Sequence, residues 1–355
     1  MLLPAAGWQG NQAVVAAVPP RPGPAVSPFK PKTMAYNVHF IRGLPVRLPR
    51  IHRSRKKEIA PLLNGRGYII NYRHHSVVMN KKRKFAFFTA SNINGKGWRN
   101  IERKGSFKKE KAIAAEHQFG KELYNAIKAK DGRPNDFEQG HLTSFQEVIW
   151  GNTPEERKKA ADDTFYFTNC VPQHERVNSG LWRSLEQYIL KTQTIHHDLK
   201  VTVLTGPLLS DNDPYYIEKI NGQLVKIPCV FWKIVYYPNH KGLNAVGFMM
   251  SHTQLLLQDG TVTFNKGAIR GAAAASPVDN FFMDYKYDAV YQVRVEFIQE
   301  KTGLTFMLNK VHLPYQVNTE KDLLYKRIEV PPNRAIAAAK KGKPLLDYTL
   351  DGITL

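Results

Sequence analysis

Three polar residues in the middle of the chain have the types and spacing needed for metal-assisted hydrolysis. His141 follows a glycine in DFEQGHLTSF, 136–145, and Asn178 and Glu186 both lie in NSGLWRSLE, 178–186. On a helix, Asn178 and Glu186 share one face, so an amide oxygen and a carboxylate point the same way. Mg²⁺ prefers oxygen ligands, and a neutral imidazole can take a proton from water near pH 7. Together they could hold a metal and activate the water that attacks a phosphodiester.

Each of these residues also has a purely structural interpretation. A single histidine such as His141 is more often structural than catalytic. Asn178 could cap a helix, and Glu186 could be a solvated helix residue. Trp182 is typical of a core position, and Asn169 could be a satisfied amide at a strand end. Only the joint pattern favours a site.

The surrounding sequence predicts the elements that would position these residues. His141 ends a strand-like segment, and TFYFTNCV, 164–171, is rich in β-forming residues. SGLWRSLEQYILK, 179–191, predicts an amphipathic helix capped by Ser179 or Asn178. Further helices are predicted at 112–127 and, opened by Thr-Pro, at 153–163.

Several apolar segments elsewhere predict strands. They are YIINYRHHSVVMN, RKFAFFTASNI (joined to the first by the basic turn NKKRK, 80–84), VTVLTG, VKIPCVFWKIVYY and LNAVGFMM. VYQVRVEFIQEKTGL, 290–304, fits either a helix or a strand. Strands and helices that mix without βαβ regularity indicate an α+β fold, with a mixed or antiparallel sheet core and flanking helices.

Composition divides the chain into three parts. Residues 1–50 hold nine of the 22 prolines and no acidic residue, and IHRSRKK follows them, so 1–57 predicts a basic, proline-rich arm or linker. Such an arm could contact phosphates or tether the chain to a partner or a further domain. Residues 58–311 read as the globular domain, and 312–355 as a less ordered extension.

Charge and hydropathy narrow the class of partner. The chain has 51 Lys and Arg against 30 Asp and Glu, a net charge of +21, which favours polyanions and nucleic acid first. No apolar run is long enough to span a bilayer. The first twenty residues lack the features of a signal peptide, which slightly favours a cytoplasmic location; a diverged signal or a cut from a longer chain stays open. Two cysteines exclude a disulfide framework but not a single bridge.

The motifs together resemble the DNA/RNA non-specific endonucleases, which have a ββα-metal active site. The family signature is Asp-Arg-Gly-His, then Thr-Asn-x-x-Pro-Gln, then Asn-x-x-x-Trp-x-x-Leu-Glu. The second and third stand intact as TNCVPQ, 168–173, and NSGLWRSLE, 178–186. The resemblance covers about residues 60–310.

This resemblance implies a role for each matched residue. His141 resembles the general base, Asn178 the direct metal ligand, and Glu186 the acidic residue that holds the water shell of the metal. Asn169 resembles a residue that supports the site. The implied cofactor is Mg²⁺, or Mn²⁺, and the implied substrates are DNA and RNA, cut to 5′-phosphate and 3′-hydroxyl ends. Many family members form homodimers.

The first motif departs from the family pattern at two positions. Glu138 replaces the aspartate and keeps its charge, but Gln139 replaces the arginine and removes a cation that could contact phosphate with two hydrogen bonds. Positive charge must then come from another residue. Arg99, Arg103, Arg176 and Arg183 are candidates, with Arg103 first. The alternative is a catalytically weakened or inactive relative that only binds nucleic acid.

A cysteine hydrolase is the remaining enzymatic alternative. Cys170 could act as a nucleophile with His141 or His174 as its base, but a thiol on an apolar strand is usually inert. The paired histidines 74–75 and 196–197 point to opposite faces if they lie on strands, and they read as surface or core residues.

Overall fold

The computed structural model describes residues 35–125, 137–264, 289–316, 325–328 and 353. The strands are Arg50–Ile51 (β1), Ile69–Tyr72 (β2), His75–Asn80 (β3), Phe85–Asn94 (β4), Phe137–His141 (β5), Cys170–His174 (β6), Lys200–Pro207 (β7), Tyr215–Tyr216 (β8), Val230–Asn239 (β9), Gly242–Ser251 (β10), Val262–Thr263 (β11), Val290–Val293 (β12), Leu304–Thr305 (β13), Val311–His312 (β14) and Tyr325–Ile328 (β15). The helices are Lys121–Asn125 (α1), Phe145–Val148 (α2), Pro154–Asp162 (α3), Trp182–Gln187 (α4), Thr253–Gln258 (α5) and Val295–Thr302 (α6). Short 3₁₀ helices lie at Arg53–Glu58, Ala115–His117 and Phe167–Asn169, and π-helical turns flank α4 at Val177–Leu181 and Tyr188–Ile195.

A nine-stranded sheet organises the described residues. Its order is β15-β12-β10-β9-β7-β4-β3-β2, with β14 beside β10. The pairs are antiparallel except β10 with β14, which is parallel. Strands β4, β7, β9 and β10 are buried along most of their length on both faces, which explains their nearly continuous apolar sequences. The fold is α+β.

The chain joins this folded unit well before residue 58. Tyr36 and Val46 are buried in the main core, and the Tyr36 hydroxyl donates to the Val46 carbonyl at 2.7 Å. Strand β1 pairs with β13. The arm predicted for 1–57 therefore does not extend over residues 35–51, where Phe40, Ile41 and Ile51 are also buried in the main core. The 3₁₀ helix Arg53–Glu58 has no buried residue. Residues 1–34 lie outside the described residues.

The C-terminal extension also contributes to the sheet. Strand β15 pairs with β12. The rest of the extension predicted for 312–355 lies mostly outside the described residues. The ambiguous segment 290–304 contains both types of element, since strand β12 is followed by helix α6, which ends at Gly303 in a left-handed conformation (φ 64°).

Local predictions near the site were confirmed in part. Helix α3 begins where predicted, with the Thr153 hydroxyl accepting from the Glu156 amide. The helix predicted for 112–127 was confirmed only at Lys121–Asn125, where α1 forms; Ala115–His117 is a 3₁₀ turn, and Gln118 after it is extended. The physical reason is tertiary, because the Gln118 amide bonds both the backbone N–H and the carbonyl of Glu110. Residues 126–127 lie outside the described residues.

Two predicted strands differ in extent from the strands of the structure. The segment YIINYRHHSVVMN divides into β2 and β3 at a turn where His74 has φ 65°. In TFYFTNCV, 164–171, the first residues are not a strand; a 3₁₀ helix ends at Asn169 and strand β6 begins at Cys170.

Candidate active site

Strands β5 and β6 form a separate antiparallel pair, and the helical segment around α4 follows β6 directly. The register sets Glu138 opposite Gln173 and His141 opposite Cys170. Because side chains alternate along a strand, His141 and Gln139 share one face, and Glu138 and Gly140 share the other. The resulting ββα unit carries the predicted base on its first strand and the predicted metal ligand on the helical segment after its second strand, and Glu138, which contacts Asn178, lies on the strand face opposite His141.

His141 lies at the end of β5 in a small aromatic cluster. Its ring centroid is 4.7 Å from that of Phe107 and 5.1 Å from that of Phe165, which meets it edge-on. The side chain is half-buried, and Nε2 is buried with no hydrogen-bond partner among the described residues. Burial lowers the pKa of His141 to about 3, with smaller contributions from the charges of Arg103 and His75. The imidazole is therefore neutral at pH 7 and can accept a proton.

Arg103 lies over Phe165, one of the two rings that contact His141. Its guanidinium lies 5.8 Å from the Phe165 ring centroid, and its charge acts on the pKa of His141. Arg103 is exposed, as are Arg99, Arg176 and Arg183. Arg99 is engaged with the carbonyls of Lys96 and Trp98.

Asn178 is bound to Glu138 rather than acting as a helix cap. The helical segment begins at Val177, its N-cap is Arg176, and no side chain caps it, so the predicted cap at Ser179 or Asn178 is wrong. Instead, Asn178 Nδ2 donates to Glu138 Oε2, and the Ser179 hydroxyl donates to the same oxygen at 3.2 Å. This contact leaves Asn178 Oδ1 as the free end of the amide.

Glu186 belongs to a buried charge cluster. The ammonium of Lys233, a residue with no exposed surface, is 3.1 Å from Glu147 Oε1 and 3.4 Å from Glu186 Oε1. The Ser91 hydroxyl donates to the other oxygen of Glu147 at 2.9 Å. Burial raises the pKa of Glu186 to about 7; Lys233 opposes this shift and Glu147 adds to it. Burial lowers the pKa of Lys233, but the two carboxylates outweigh it, so the net shift is upward and Lys233 is charged.

Asn169 is fully engaged with the backbone. Its Oδ1 accepts from the Thr143 amide at 2.8 Å, and its Nδ2 donates to the carbonyls of Thr143 and Thr164 at 2.9 and 3.0 Å. Its own carbonyl accepts from the Leu142 amide. Asn169 therefore holds the chain that follows His141, a positioning contact made without touching the imidazole.

Gly140 and Gln173 are packed against each other. A Cβ on Gly140 would lie 2.2 Å from Gln173 Oε1 and 2.6 Å from its Cγ. Gln173 is fully buried, and both polar atoms of its amide lack partners among the described residues. Because Gly140 has no Cβ, the Gln173 side chain on β6 can pack directly against the backbone of β5.

The cysteine alternative finds little support in the geometry. Cys170 and His141 are cross-strand neighbours, but Cys170 is buried, and burial raises the pKa of its thiol well above the usual range. His174 is paired with Asp259 at 2.7 Å. The thiolate form needed for attack is therefore disfavoured.

The donor set fits a hard divalent cation in its chemistry. The Asn178 amide meets the Glu138 carboxylate through Nδ2, so Oδ1 is the amide atom that could bind a cation, and an oxygen donor of this kind suits Mg²⁺ or Mn²⁺. Glu186 Oε1 is buried, and the contact that holds it is the Lys233 ammonium at 3.4 Å. Within the same residues, no group of three His, Cys, Asp or Glu side chains could hold a metal.

Other features of the described residues lie apart from this site. A cavity of about 700 Å³ contains neither His141 nor Asn178; its lining includes Arg83 and Asp213, which pair with each other at 2.6 Å. The histidine pairs are core and surface residues: His74 and His75 are buried, and the side chains at 196–197 are exposed. In the described ranges, no helix is sufficiently long and apolar to cross a membrane.

Sequence reasoning missed Lys233 and Glu147, named Ser179 only as a helix cap, and placed Gln173 in a motif without giving it a role. A signal existed for Lys233, since it is the one charged residue in the apolar strand VFWKIVYY. The contacts that the other three make could not be read locally, because their partners are 33 to 86 positions away.

The chain is similar in sequence to several known proteins. It is 33% identical over 275 residues to an uncharacterised protein, y4fB, of Sinorhizobium fredii (strain NBRC 101917 / NGR234), covering 74% of this chain and 38% of that protein. It is 26% identical over 192 residues to mitochondrial endonuclease G of Bos taurus, and equally to that of Homo sapiens, covering 52% of this chain and 53% of each relative. The chain thus spans about half the length of these relatives, or less.

The chain also resembles a solved structure and matches a sequence model of a protein family. A chain in the crystal structure of the EndoG/EndoGI complex has a TM-score of 0.45 and 16% identity, covering 67% of this chain and 84% of that one. The model for DNA/RNA non-specific endonucleases matches residues 58–312, more than half of the sequence. The chain therefore belongs to the DNA/RNA non-specific endonuclease family.

Proposed function

We propose that this chain is a metal-dependent, sequence-non-specific endonuclease that hydrolyses DNA and RNA phosphodiester bonds. The observation that carries this proposal is the ββα arrangement: His141 ends the first strand of the hairpin, and Asn178, bound to Glu138 of that strand, lies in the helical segment after the second. Family membership supports the same class of reaction. Base, cation and oxygen ligands then come from the ββα unit and the loop next to it.

In this proposal, His141 takes a proton from the water that attacks phosphorus. Nε2 is buried, so we assign Nδ1 as the nitrogen that accepts the proton. As the new P–O bond forms, the bond to the 3′ oxygen breaks and that oxygen gains a proton. The products are a 5′-phosphate and a 3′-hydroxyl. A general base of this kind contributes roughly 10²- to 10⁴-fold to a rate.

Asn178 is the residue that would hold the metal directly, through Oδ1. Glu138 acts as a positioning residue, because its carboxylate accepts from Nδ2 and so orients the amide. Glu186, anchored by Lys233, would hold water around the ion. A bound Mg²⁺ or Mn²⁺ supplies Lewis-acid polarisation of the phosphate and stabilises charge on the leaving oxygen.

Arg103 is proposed to supply the cation that Gln139 lacks. A guanidinium beside the base can bind the non-bridging oxygens of the phosphate, whose negative charge grows toward the transition state. Substrate phosphate near Arg103 also offsets the positive field that lowers the pKa of His141. Binding would therefore make the imidazole a stronger base when it is needed.

The second candidate function is nucleic-acid binding without efficient cleavage. The observation that favours it is the loss of the motif arginine at Gln139. The two functions predict the same charge-dependent binding, so only a cleavage assay separates them.

The test uses purified protein with plasmid DNA and with RNA, in Mg²⁺, Mn²⁺ or EDTA. We expect cleavage with either metal and none in EDTA, and little cleavage by His141→Ala or Asn178→Ala. His240→Ala, on the exposed β9–β10 turn, is the matched control and should cut like the wild type. Equal cutting by His141→Ala would refute the mechanism, and a wild type that never cuts would favour the binding function.

A further inference from the structure

A strongly basic loop borders the His141 ring. Residues 96–111, KGWRNIERKGSFKKEK, contain seven Lys and Arg against two Glu, a net of +5 within 16 residues of a chain whose total is +21. We call this segment the basic loop. It lies between strand β4 and the 3₁₀ turn at Ala115–His117.

The cations of this loop are exposed and mostly lack acidic partners. All seven are exposed. Lys104 pairs with Glu102 at 2.7 Å and Lys109 with Glu122 at 2.8 Å. The remaining five, Lys96, Arg99, Arg103, Lys108 and Lys111, have no carboxylate partner among the described residues.

The second acid of the loop points inward and does not screen these charges. Glu110 is buried, and its carboxylate accepts from the Tyr72 hydroxyl and from the amides of Lys111 and Ala112. The solvent-facing side of the basic loop is therefore almost purely cationic.

The backbone of the loop is held in place beside the base. At one end, the Arg99 amide donates to the Ile149 carbonyl at 3.2 Å. At the other, Lys108 exchanges backbone hydrogen bonds with Phe165 and Phe167 at 3.1 and 3.0 Å. Between them, Phe107 is buried against the His141 ring. The cations are thus carried by an anchored scaffold that touches the candidate base.

We propose that the basic loop is the track along which the phosphodiester backbone of the substrate strand lies as it reaches His141. This inference rests on the proposed function. Ammonium and guanidinium groups bind phosphate oxygens, which DNA and RNA share, and such contacts carry no direct sequence information. A track of this kind explains how one site accepts either nucleic acid without reading its sequence.

The test measures binding rather than cleavage. Lys96→Gln/Lys108→Gln/Lys111→Gln removes three cations of the loop that have no carboxylate partner among the described residues, and no residue assigned to the chemistry. Affinity for a short labelled DNA duplex and for single-stranded RNA is measured in EDTA at about 50 to 200 mM KCl. If each lysine contacts one phosphate, the slope of log K against log salt should become shallower by about 2.7 on the duplex and about 2 on the single strand.

The matched control removes the same charge from the other end of the sheet. Lys81, Lys82 and Lys219 are exposed residues in the β3–β4 turn and the β7–β9 connection. Their triple Gln variant should keep the wild-type slope. Equal slopes for the two triple variants would overturn the track, since general charge alone would then explain binding.

The outcomes also separate this inference from the proposed function. If the salt dependence of binding is steep for the wild type and shallow for the loop variant, but the wild type never cuts, the track is supported and hydrolysis is rejected. A wild type that cuts while the loop variant keeps the full slope would support hydrolysis and reject the track. Binding that does not depend on salt would reject the track outright.

Discussion

Asn178 donates a hydrogen bond from Nδ2 to Oε2 of Glu138, forty residues earlier in the chain. The contact joins the first strand of the hairpin to the helical segment after the second. It also fixes which end of the Asn178 amide is free. The glutamate that replaces the aspartate of the motif thus reaches the proposed metal ligand directly.

This relationship predicts that Glu138 controls metal affinity. Glu138→Ala should weaken metal activation by about 10- to 100-fold, because partners that orient a ligand typically contribute that much. The concentration of Mg²⁺ that gives half-maximal cleavage measures it. Ser179→Ala, which removes only the 3.2 Å contact, should have a smaller effect. An unchanged Mg²⁺ requirement in Glu138→Ala would contradict the positioning role.

The environment of His141 predicts an unusual dependence of kcat/KM on pH below neutrality. The pKa of about 3 keeps the imidazole neutral far below pH 6.5, so kcat/KM should stay high into the acidic range until another group or the fold fails. Arg103→Gln removes a positive neighbour and should raise the pKa of His141. In this variant the pKa of His141 should still lie below its ordinary value, because burial is the larger cause of the shift. NMR titration of His141 measures the shift directly, with Arg103→Lys as the charge-preserving control.

Removing the base itself should affect rate more than binding. His141→Ala should lower kcat by roughly 10²- to 10⁴-fold. Affinity for nucleic acid in EDTA should stay near that of the wild type, since phosphate contacts come from other residues. A variant that lost affinity and rate in equal proportion would point to a binding role for His141.

Lys233 is predicted to be essential for stability. Lys233→Met leaves Glu147 and Glu186 buried together without a cation, which should lower the free energy of unfolding by about 3–5 kcal/mol. Urea denaturation measures this. Exposed Lys241→Met should change stability by no more than about 0.5 kcal/mol. Lys233→Met combined with Glu147→Gln should recover part of the loss, because one uncompensated carboxylate is removed.

Because Gly140 and Gln173 lie so close together, substitutions at the two positions should affect stability in a non-additive way. Gly140→Ala should destabilise the protein by about 1–3 kcal/mol, because the new methyl overlaps a buried side chain. Shortening the neighbour in Gly140→Ala/Gln173→Ala should relieve the overlap. A double-mutant cycle in urea, with Gln173→Ala alone as the control, tests this. Strict additivity would show that the two residues do not meet.

Much of the local structure followed from sequence periodicity and turn chemistry. The polar helix opened by Thr153 and the strands β3, β4, β7, β9 and β10 could be predicted, because each is encoded by residues close in sequence. The helix predicted for 112–127 could not be corrected in this way. Its break depends on Gln118 bonding the backbone of Glu110, a tertiary contact that overrides helix propensity.

The sequence by itself determined which chemical groups are present and that the motif lacks its arginine at Gln139. It also predicted that an amide and a carboxylate follow one another on a helix. Only the tertiary structure decided how these groups pair: Asn178 with Glu138, Glu186 with Lys233, and His141 with Arg103 nearby. These pairings depend on strand register and on how loops pack, and neither can be read from residue types along the chain.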